Sequence, residues 1–288
     1  MHKILCAGFI CLRNVSTVCA EHMSRSHGVE MKLLVFTDLD GTLLDHATYS
    51  FQPAMPALTA LRTRQIPLIL ASSKTGAEMA QIHAQLGLGD TPAIVENGAD
   101  ILVPGQGAGT THSYATIRHR LSTLPPELRQ CFTGFGDMSD ADIADATGLP
   151  LVAAQNARKR CFSEPGLWSG TDAQLQEFLS VLKKDGIHAR RGGRFLTLSL
   201  GGTKADQMRQ IIAQYQADVT IALGDAPNDV EMLEAADIGV VIHNDHSPRL
   251  PQLAGEADGK IRRSRLPGPA GWNEEIMDIL NNIPQQES

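Results

Sequence analysis

LLVFTDLDGT, residues 33 to 42, opens on four apolar residues and carries two aspartates two positions apart, Asp38 and Asp40, before Gly41 and Thr42. A short apolar run bounded by turn residues reads as a strand buried on both faces. The two carboxylates would then stand at the open end of that strand, where their repulsion is hardest to relieve. Runs of the same kind recur at Pro67 to Ala71, Ala93 to Glu96 and Thr220 to Leu223. Helical patterns fill the gaps at Pro53 to Arg64, Thr75 to Leu86, Lys204 to Tyr215 and Pro227 to Ala235. Strand, helix, strand repeated in this way predicts an α/β fold built on a parallel, doubly wound sheet with right-handed crossovers. Such sheets bind ligands beyond the carboxyl ends of their strands, where Asp38 and Asp40 fall.

The rhythm breaks at Pro104-Gly-Gln-Gly-Ala-Gly109. Beyond it, helical stretches (Ser113 to Leu124, Asp172 to Lys184) mix with strand-like pieces (Lys159 to Phe162, Arg194 to Leu200). Residues 110 to 198 are therefore read as an inserted domain, and residues 31 to 109 and 199 to 288 as the two parts of the main one. A chain of 288 residues is long enough for both. The first thirty residues read differently. Ile4 to Leu12 is apolar, and Val18-Cys19-Ala20 loosely imitates a signal-peptidase site. Arg13 closes the stretch early, it is too short to span a bilayer, and Met31 stands directly before the first strand. We read residues 1 to 30 as a poorly ordered extension and expect a cytoplasmic protein.

With 42% hydrophobic and 20% charged residues the composition is that of a globular protein. A formal charge of -7 disfavours a nucleic-acid partner, because that affinity rests on a basic surface. A small anionic substrate remains compatible if positive charge is gathered locally. The cysteines at 6, 11, 19, 131 and 161 form no C-x-x-C pair or zinc-like spacing, which predicts reduced thiols.

The D-x-D pair is not an EF-hand, which needs glycine at the sixth position and glutamate at the twelfth, where Leu43 and Tyr49 stand. Gly-Gly-Thr-Lys at 201 to 204 lacks the frame of a phosphate-cradling P-loop. A turn cap would account for Asp40 but leaves Asp38 unexplained. Two carboxylates at a strand end are stabilised by a hard divalent cation such as Mg²⁺, which also neutralises an incoming phosphate. A carboxylate kept ionised in this way can attack phosphorus, and a second one can protonate the leaving oxygen and then activate water. The segment LGDAPNDVEML, residues 223 to 233, offers further ligands in Asp225, Asn228 and Asp229, although a capped helix start would explain it equally well.

Four motifs occur in order: DLDGT at 38 to 42, Ser72 in ASSKT, Lys204 in GGTKADQM, and GDAPND at 224 to 229. With them the chain resembles a haloacid dehalogenase-superfamily phosphatase of the large-cap branch. That resemblance implies a Rossmann-like core with an inserted α+β cap, and roles residue by residue. Asp38 would be nucleophile and metal ligand, and Asp40 the general acid/base, lending its backbone carbonyl to Mg²⁺. Asp225 would bind the metal, with Asn228 and Asp229 in or near its shell. Ser72 would hydrogen-bond the phosphoryl oxygens, and Lys204 would stabilise the nucleophile and the transition-state charge. The lysine sits before Ala-Asp, where many relatives carry a Gly-Lys pattern.

SSKT at 72 to 75, ENGA at 96 to 99, RCFSEPGLW at 160 to 168, GGRF at 192 to 195 and GPAGWNEEI at 268 to 276 resemble the mannosyl-3-phosphoglycerate phosphatase family. The implied substrate is a small phosphorylated sugar-glycerate. Arginine offers paired donors to carboxylate or phosphate, so Arg160 and Arg194 are candidates for the glycerate. Glu164 is a candidate acceptor for sugar hydroxyls, and Lys74 and Asn97 are further substrate-binding candidates. His243 and His246 read as a solvated loop. Glucosyl-3-phosphoglycerate or another sugar phosphate is the alternative substrate, a phosphomutase or a catalytically silent sugar-phosphate sensor the more distant ones. Oligomeric state is not legible.

Overall fold

In the computed structural model, which describes residues 31–105, 112–192 and 194–283, the run Leu34, Val35 and Phe36 is wholly buried. Strand β1 (Leu33–Thr37) has a parallel neighbour on each side, β2 (Leu68–Ala71) and β9 (Val219–Gly224). The intervening strands in chain order are β3 (Ala93–Val95), β4 (Asp100–Leu102), β5 (Phe132–Gly134), β6 (Ser163–Trp168), β7 (His188–Gly192) and β8 (Phe195–Ser199). Two more follow, β10 (Ile238–His243) and β11 (Ile261–Pro267). Among the described residues one sheet runs β11-β10-β9-β1-β2-β3-β4, parallel except for the β3–β4 pair. The expected doubly wound α/β core is present. The extension predicted for residues 1 to 30 lies outside the described residues.

Period-two alternation divides each central strand between two apolar layers. Val35, Leu68, Leu70 and Leu223 share a layer with Leu58 and Leu61 of α1 (Met55–Thr63), Met79 of α2 (Gly76–Leu86), and Trp272 and Ile276 of a C-terminal helix, Gly268–Asn282. Leu34, Phe36, Ile69 and Ala222 face the other way, onto Met208 and Ile211 of the helix Lys204–Tyr215 and Met232 and Leu233 of the helix Val230–Ala235. The C-terminal helix begins at the GPAGW segment, and the wholly buried Trp272 donates its indole N–H to Thr37 Oγ1 at 3.0 Å.

The insert carries its own antiparallel sheet, β5-β6-β8-β7. Leu196 and Leu198 of β8 turn into a separate core with Ile117 and Leu121 of α3 (Ser113–Ser122), and with Phe178 and Leu182 of the helix Asp172–Lys184. One expectation fails. Lys159 to Phe162 is not a strand, and pairing begins only at Ser163. The amides of Cys161 and Phe162 donate to the carboxylate of Glu96 instead of to a neighbouring strand.

Candidate active site

Asp38, Ser72, Glu96 and Asp225 each follow directly on a strand of the contiguous set β9, β1, β2 and β3. The topology thus gathers distant segments at the carboxyl ends of adjacent strands. Lys204 is the first residue of its helix, held there by a capping box: Thr203 Oγ1 accepts from Asp206 N at 3.0 Å, and the Asp206 carboxylate accepts from Thr203 N at 2.9 Å. Its side chain is 1% exposed, and Nζ donates to Asp38 Oδ1 at 2.6 Å and to Asp229 Oδ1 at 2.7 Å. The other Asp229 oxygen accepts from the backbone N–H groups of Asp225 and Ala226. Asp225 in turn accepts from Thr42 Oγ1 at 2.8 Å and Asn244 Nδ2 at 2.7 Å. Gly41 packs beneath that contact in a left-handed conformation (φ 80°), and a Cβ there would lie 2.3 Å from Asn244 Nδ2.

Asp38, Asp225 and Asp229 each offer an oxygen within 4.8 Å of the others. Burial, only partly offset by Lys204, holds the Asp38 carboxyl well above its ordinary range, and Asp229, Asp225 and Asp40 push in the same direction. Burial and the Asp229 charge raise Asp225 to about 6. Lys204 is raised because the Asp229 and Asp38 carboxylates outweigh its burial. Three carboxylates thus share one buried ammonium, and the surplus negative charge fits a hard divalent cation with oxygen ligands.

The charge surplus has a pH signature. The Asp225 pKa is about 6 in the fold against an ordinary 3.8, so the folded form holds the proton more tightly. Its contribution to stability is complete below the ordinary value and is lost as pH rises through about 6, a change on the order of 3 kcal/mol. Thermal melts of metal-free protein should therefore show lower stability at pH 7.5 than at pH 5, with Mg²⁺ raising Tm more at the higher pH. Equal gains at both would remove Asp225 from the cation site.

Above these carboxylates lies a cavity of about 600 Å³ lined from the main sheet by Asp38, Asp40, Lys74 and Asn228 and from the insert by Phe135, Arg160 and Phe195. Asp40 stands apart from the acidic triad. Its Oδ2 pairs with Lys74 Nζ at 2.9 Å, and its buried Oδ1 has no hydrogen-bond partner among the described residues. Lys74 is raised: burial lowers it, but Asp40 and Glu78 outweigh that. Ser72 is buried beside them, its Oγ accepting from Lys74 N at 3.3 Å. Asn228 donates to Asn97 Oδ1 at 3.0 Å, and both reach the cavity.

Of the insert's candidates only Arg160 lines the cavity, and two of its five N–H donors are taken by backbone carbonyls: Nε by Ala157 O and Nη1 by Ser73 O, both at 2.8 Å, with the guanidinium 5.7 Å from the centre of the Phe135 ring. Glu164 does not reach it. Its side chain is fully enclosed, one oxygen accepting from Gly136 N at 2.9 Å and Arg118 Nη1 at 3.0 Å. Arg194 is exposed outside the lining and donates to Ala146 O at 2.8 Å. Asn244 and Thr42 were not anticipated as partners of Asp225. Thr42 lies inside a legible motif, but nothing local marks Asn244.

A family model described as haloacid dehalogenase-like hydrolase matches residues 35–117 and 170–254, more than half of the chain. Among solved structures, the sucrose-phosphatase from Synechocystis sp. PCC6803, in complex with sucrose and phosphate, is similar at 15% identity and TM-score 0.59, covering 86% of this chain and 98% of that one. A HAD subclass IIB sugar phosphatase is similar at 17% identity and TM-score 0.58, covering 85% and 98%. A HAD-superfamily phosphatase from Bacteroides thetaiotaomicron is similar at 22% identity and TM-score 0.52, covering 75% and 85%. At these identities the likeness is one of fold.

Proposed function

The protein belongs to the haloacid dehalogenase-like hydrolases, and we propose that it is a Mg²⁺-dependent phosphatase of phosphorylated sugars, with mannosyl-3-phosphoglycerate as its first candidate substrate. One observation carries the reading. Asp38, held by the buried Lys204 at 2.6 Å, faces a cavity in which Asp40 stands two residues away with a buried oxygen that has no partner among the described residues.

In this mechanism Asp38 attacks phosphorus, the bond from phosphorus to the ester oxygen of the substrate (the glycerate oxygen in mannosyl-3-phosphoglycerate) breaks, and Asp40 gives that oxygen its proton. Water then attacks the aspartyl-phosphate, Asp40 takes back a proton, and inorganic phosphate leaves. Lys204 favours the ionised form of Asp38 against the effect of burial and aims it, and Ser72 donates to a phosphoryl oxygen. Asp38, Asp225 and Asp229, with the Asp40 carbonyl and Asn228 nearby, would hold the cation, which when bound supplies neutralising charge to the phosphoryl group.

The glycerate specificity rests on the sequence resemblance. Because two Arg160 donors are committed to backbone carbonyls and Arg194 lies outside the cavity lining, a second reading also has support: a phosphatase with a broader range of sugar phosphates, glucosyl-3-phosphoglycerate among them. Phosphate release from a panel of phosphorylated glycosides, with and without Mg²⁺, tests both. Metal dependence with preference for the mannosyl glycerate ester is the expected result. Equal turnover of simple sugar phosphates selects the second reading, and no release from any ester defeats the assignment.

A further inference from the structure

After β3 the chain takes three left-handed residues in succession, Glu96 (φ 48°), Asn97 (φ 62°) and Gly98 (φ 92°). A glutamate adopts this conformation only where its surroundings impose it. Here Glu96 N donates to Lys74 O at 3.0 Å and Asn97 N to Ser72 O at 2.9 Å. The Asn97 side chain accepts from Asn228, and Gly98 O accepts from Gln207 Nε2 at 3.0 Å. Gly98 also lies against the start of the Lys204 helix so closely that a Cβ would fall 2.1 Å from the Thr203 carbonyl carbon and 2.4 Å from Lys204 N. One turn therefore touches the Ser72 loop, the Asn228 loop and the base of Lys204.

The side chain of the same turn reaches the insert. Glu96 is 2% exposed, and its carboxylate accepts from Cys161 N (2.9 Å), Phe162 N (3.2 Å), Ser163 N (2.7 Å) and Ser163 Oγ (2.6 Å). Charge-assisted bonds to successive amides make a strong, directional anchor. Phe162, between those amides, is buried in the apolar layer of the main sheet with Val35 and Leu70. Thr75 Oγ1 donates to Asn156 O at 3.0 Å, and Arg160 to Ser73 O, along the same edge. On β7, two strands from β6 in the insert's sheet, the contact is weaker: Arg190 Nη2 and Glu231 Oε1 are 3.9 Å apart, with side chains 38% and 59% exposed. An exposed pair at that distance adds little.

We infer that Glu96 is a positioning residue, a pivot that fastens the inserted unit to the phosphate-side loops, so that the unit turns about residues 161 to 163 and the cavity opens along the Arg190–Glu231 edge. A unit that must admit a bulky ester and then exclude water needs one fixed edge and one that yields. The strained turn supplies the fixed edge and ties its position to the loops that carry Ser72, Asn228 and Lys204. The inference rests on the proposed phosphatase only for its consequence in turnover, because the anchor itself is read without substrate.

Glu96→Gln keeps the shape but turns one acceptor into a donor facing N–H groups. Amide hydrogen exchange in the full-length protein is expected to speed up about tenfold or more at Cys161, Phe162 and Ser163, with β1 and β9 as protected as before. In parallel, kcat/KM for the phosphorylated glycoside that the wild type turns over best, mannosyl-3-phosphoglycerate on the proposed reading, should fall about tenfold further than kcat/KM for p-nitrophenyl phosphate, which has little for the insert to read. A merely structural defect would lower both esters together. Ser163→Ala, which removes one of the four bonds, should give a smaller change of the same kind and serves if Glu96→Gln does not fold. Arg190→Ala should leave exchange at 161 to 163 unchanged. Unchanged exchange there in both the Glu96→Gln and Ser163→Ala proteins, or equal losses on the two esters, overturns the pivot. Wild-type protein inactive on every ester, with the exchange pattern as expected, overturns the proposed function and spares the anchor.

Discussion

Asp38→Asn is expected to abolish phosphate release, lowering kcat by about 10⁴-fold or more, while the protein stays folded. The amide has almost the volume of the acid but cannot form the acyl-phosphate. The fold should tolerate it because of the charges around it. Lys204 keeps Asp229 at 2.7 Å, and the substitution removes a buried carboxylate that burial and the charges of Asp229 and Asp225 hold well above its ordinary range. Stability of the metal-free variant should therefore equal or exceed that of the wild type, the opposite of the usual cost of a buried polar change. Steady-state phosphate assays with a thermal melt read both halves. Residual turnover within about tenfold of wild type would remove Asp38 as the nucleophile.

The strands that carry the chemistry were legible because both faces of each are buried, so composition alone marks them: Leu33 to Phe36 and Thr220 to Leu223 fall inside β1 and β9. The helices Asp172–Lys184 and Lys204–Tyr215 begin where they were expected because Thr171 and Thr203 cap them. β11 escaped notice for the opposite reason. Its sequence, IRRSRLP, has arginine where a central strand has valine, and it is a strand only because β10 pairs with it and the C-terminal helix packs against it. The acidic groups could be found locally, each at the end of a recognisable run. Their partners could not: Thr42 meets Asp225 across 183 positions and Arg160 meets Ser73 across 87. A side chain's type predicts what it can bind, whereas only the folded chain decides whether that capacity is already used. Arg160 therefore looked wholly free for an anion, yet two of its donors are committed to carbonyls.

Lys204→Met should be the costliest single change in the site for both stability and rate. The lysine is buried, and its ammonium is the only cation within hydrogen-bonding distance of Asp38 and Asp229 among the described residues. Breaking a buried pair from one side leaves uncompensated charge, which costs about 3–5 kcal/mol. The sign with pH follows from the carboxylates. Without Lys204 the Asp38 pKa rises further above its ordinary range, so the folded variant takes up a proton readily and its deficit shrinks toward pH 4. It grows as pH climbs through the raised values, and urea unfolding at pH 4.5 and pH 7.5 should show the larger loss at pH 7.5. Mg²⁺ should recover part of that loss, because it answers the same charge, but turnover should stay down by about 10³-fold, since the cation cannot also take the lysine's place beside Asp38. Adding Asp229→Asn should restore stability beyond the sum of the two single effects, because the pair shares one interaction. If the single variant loses no more at pH 7.5 than at pH 4.5, the buried ammonium is not what balances this acidic site.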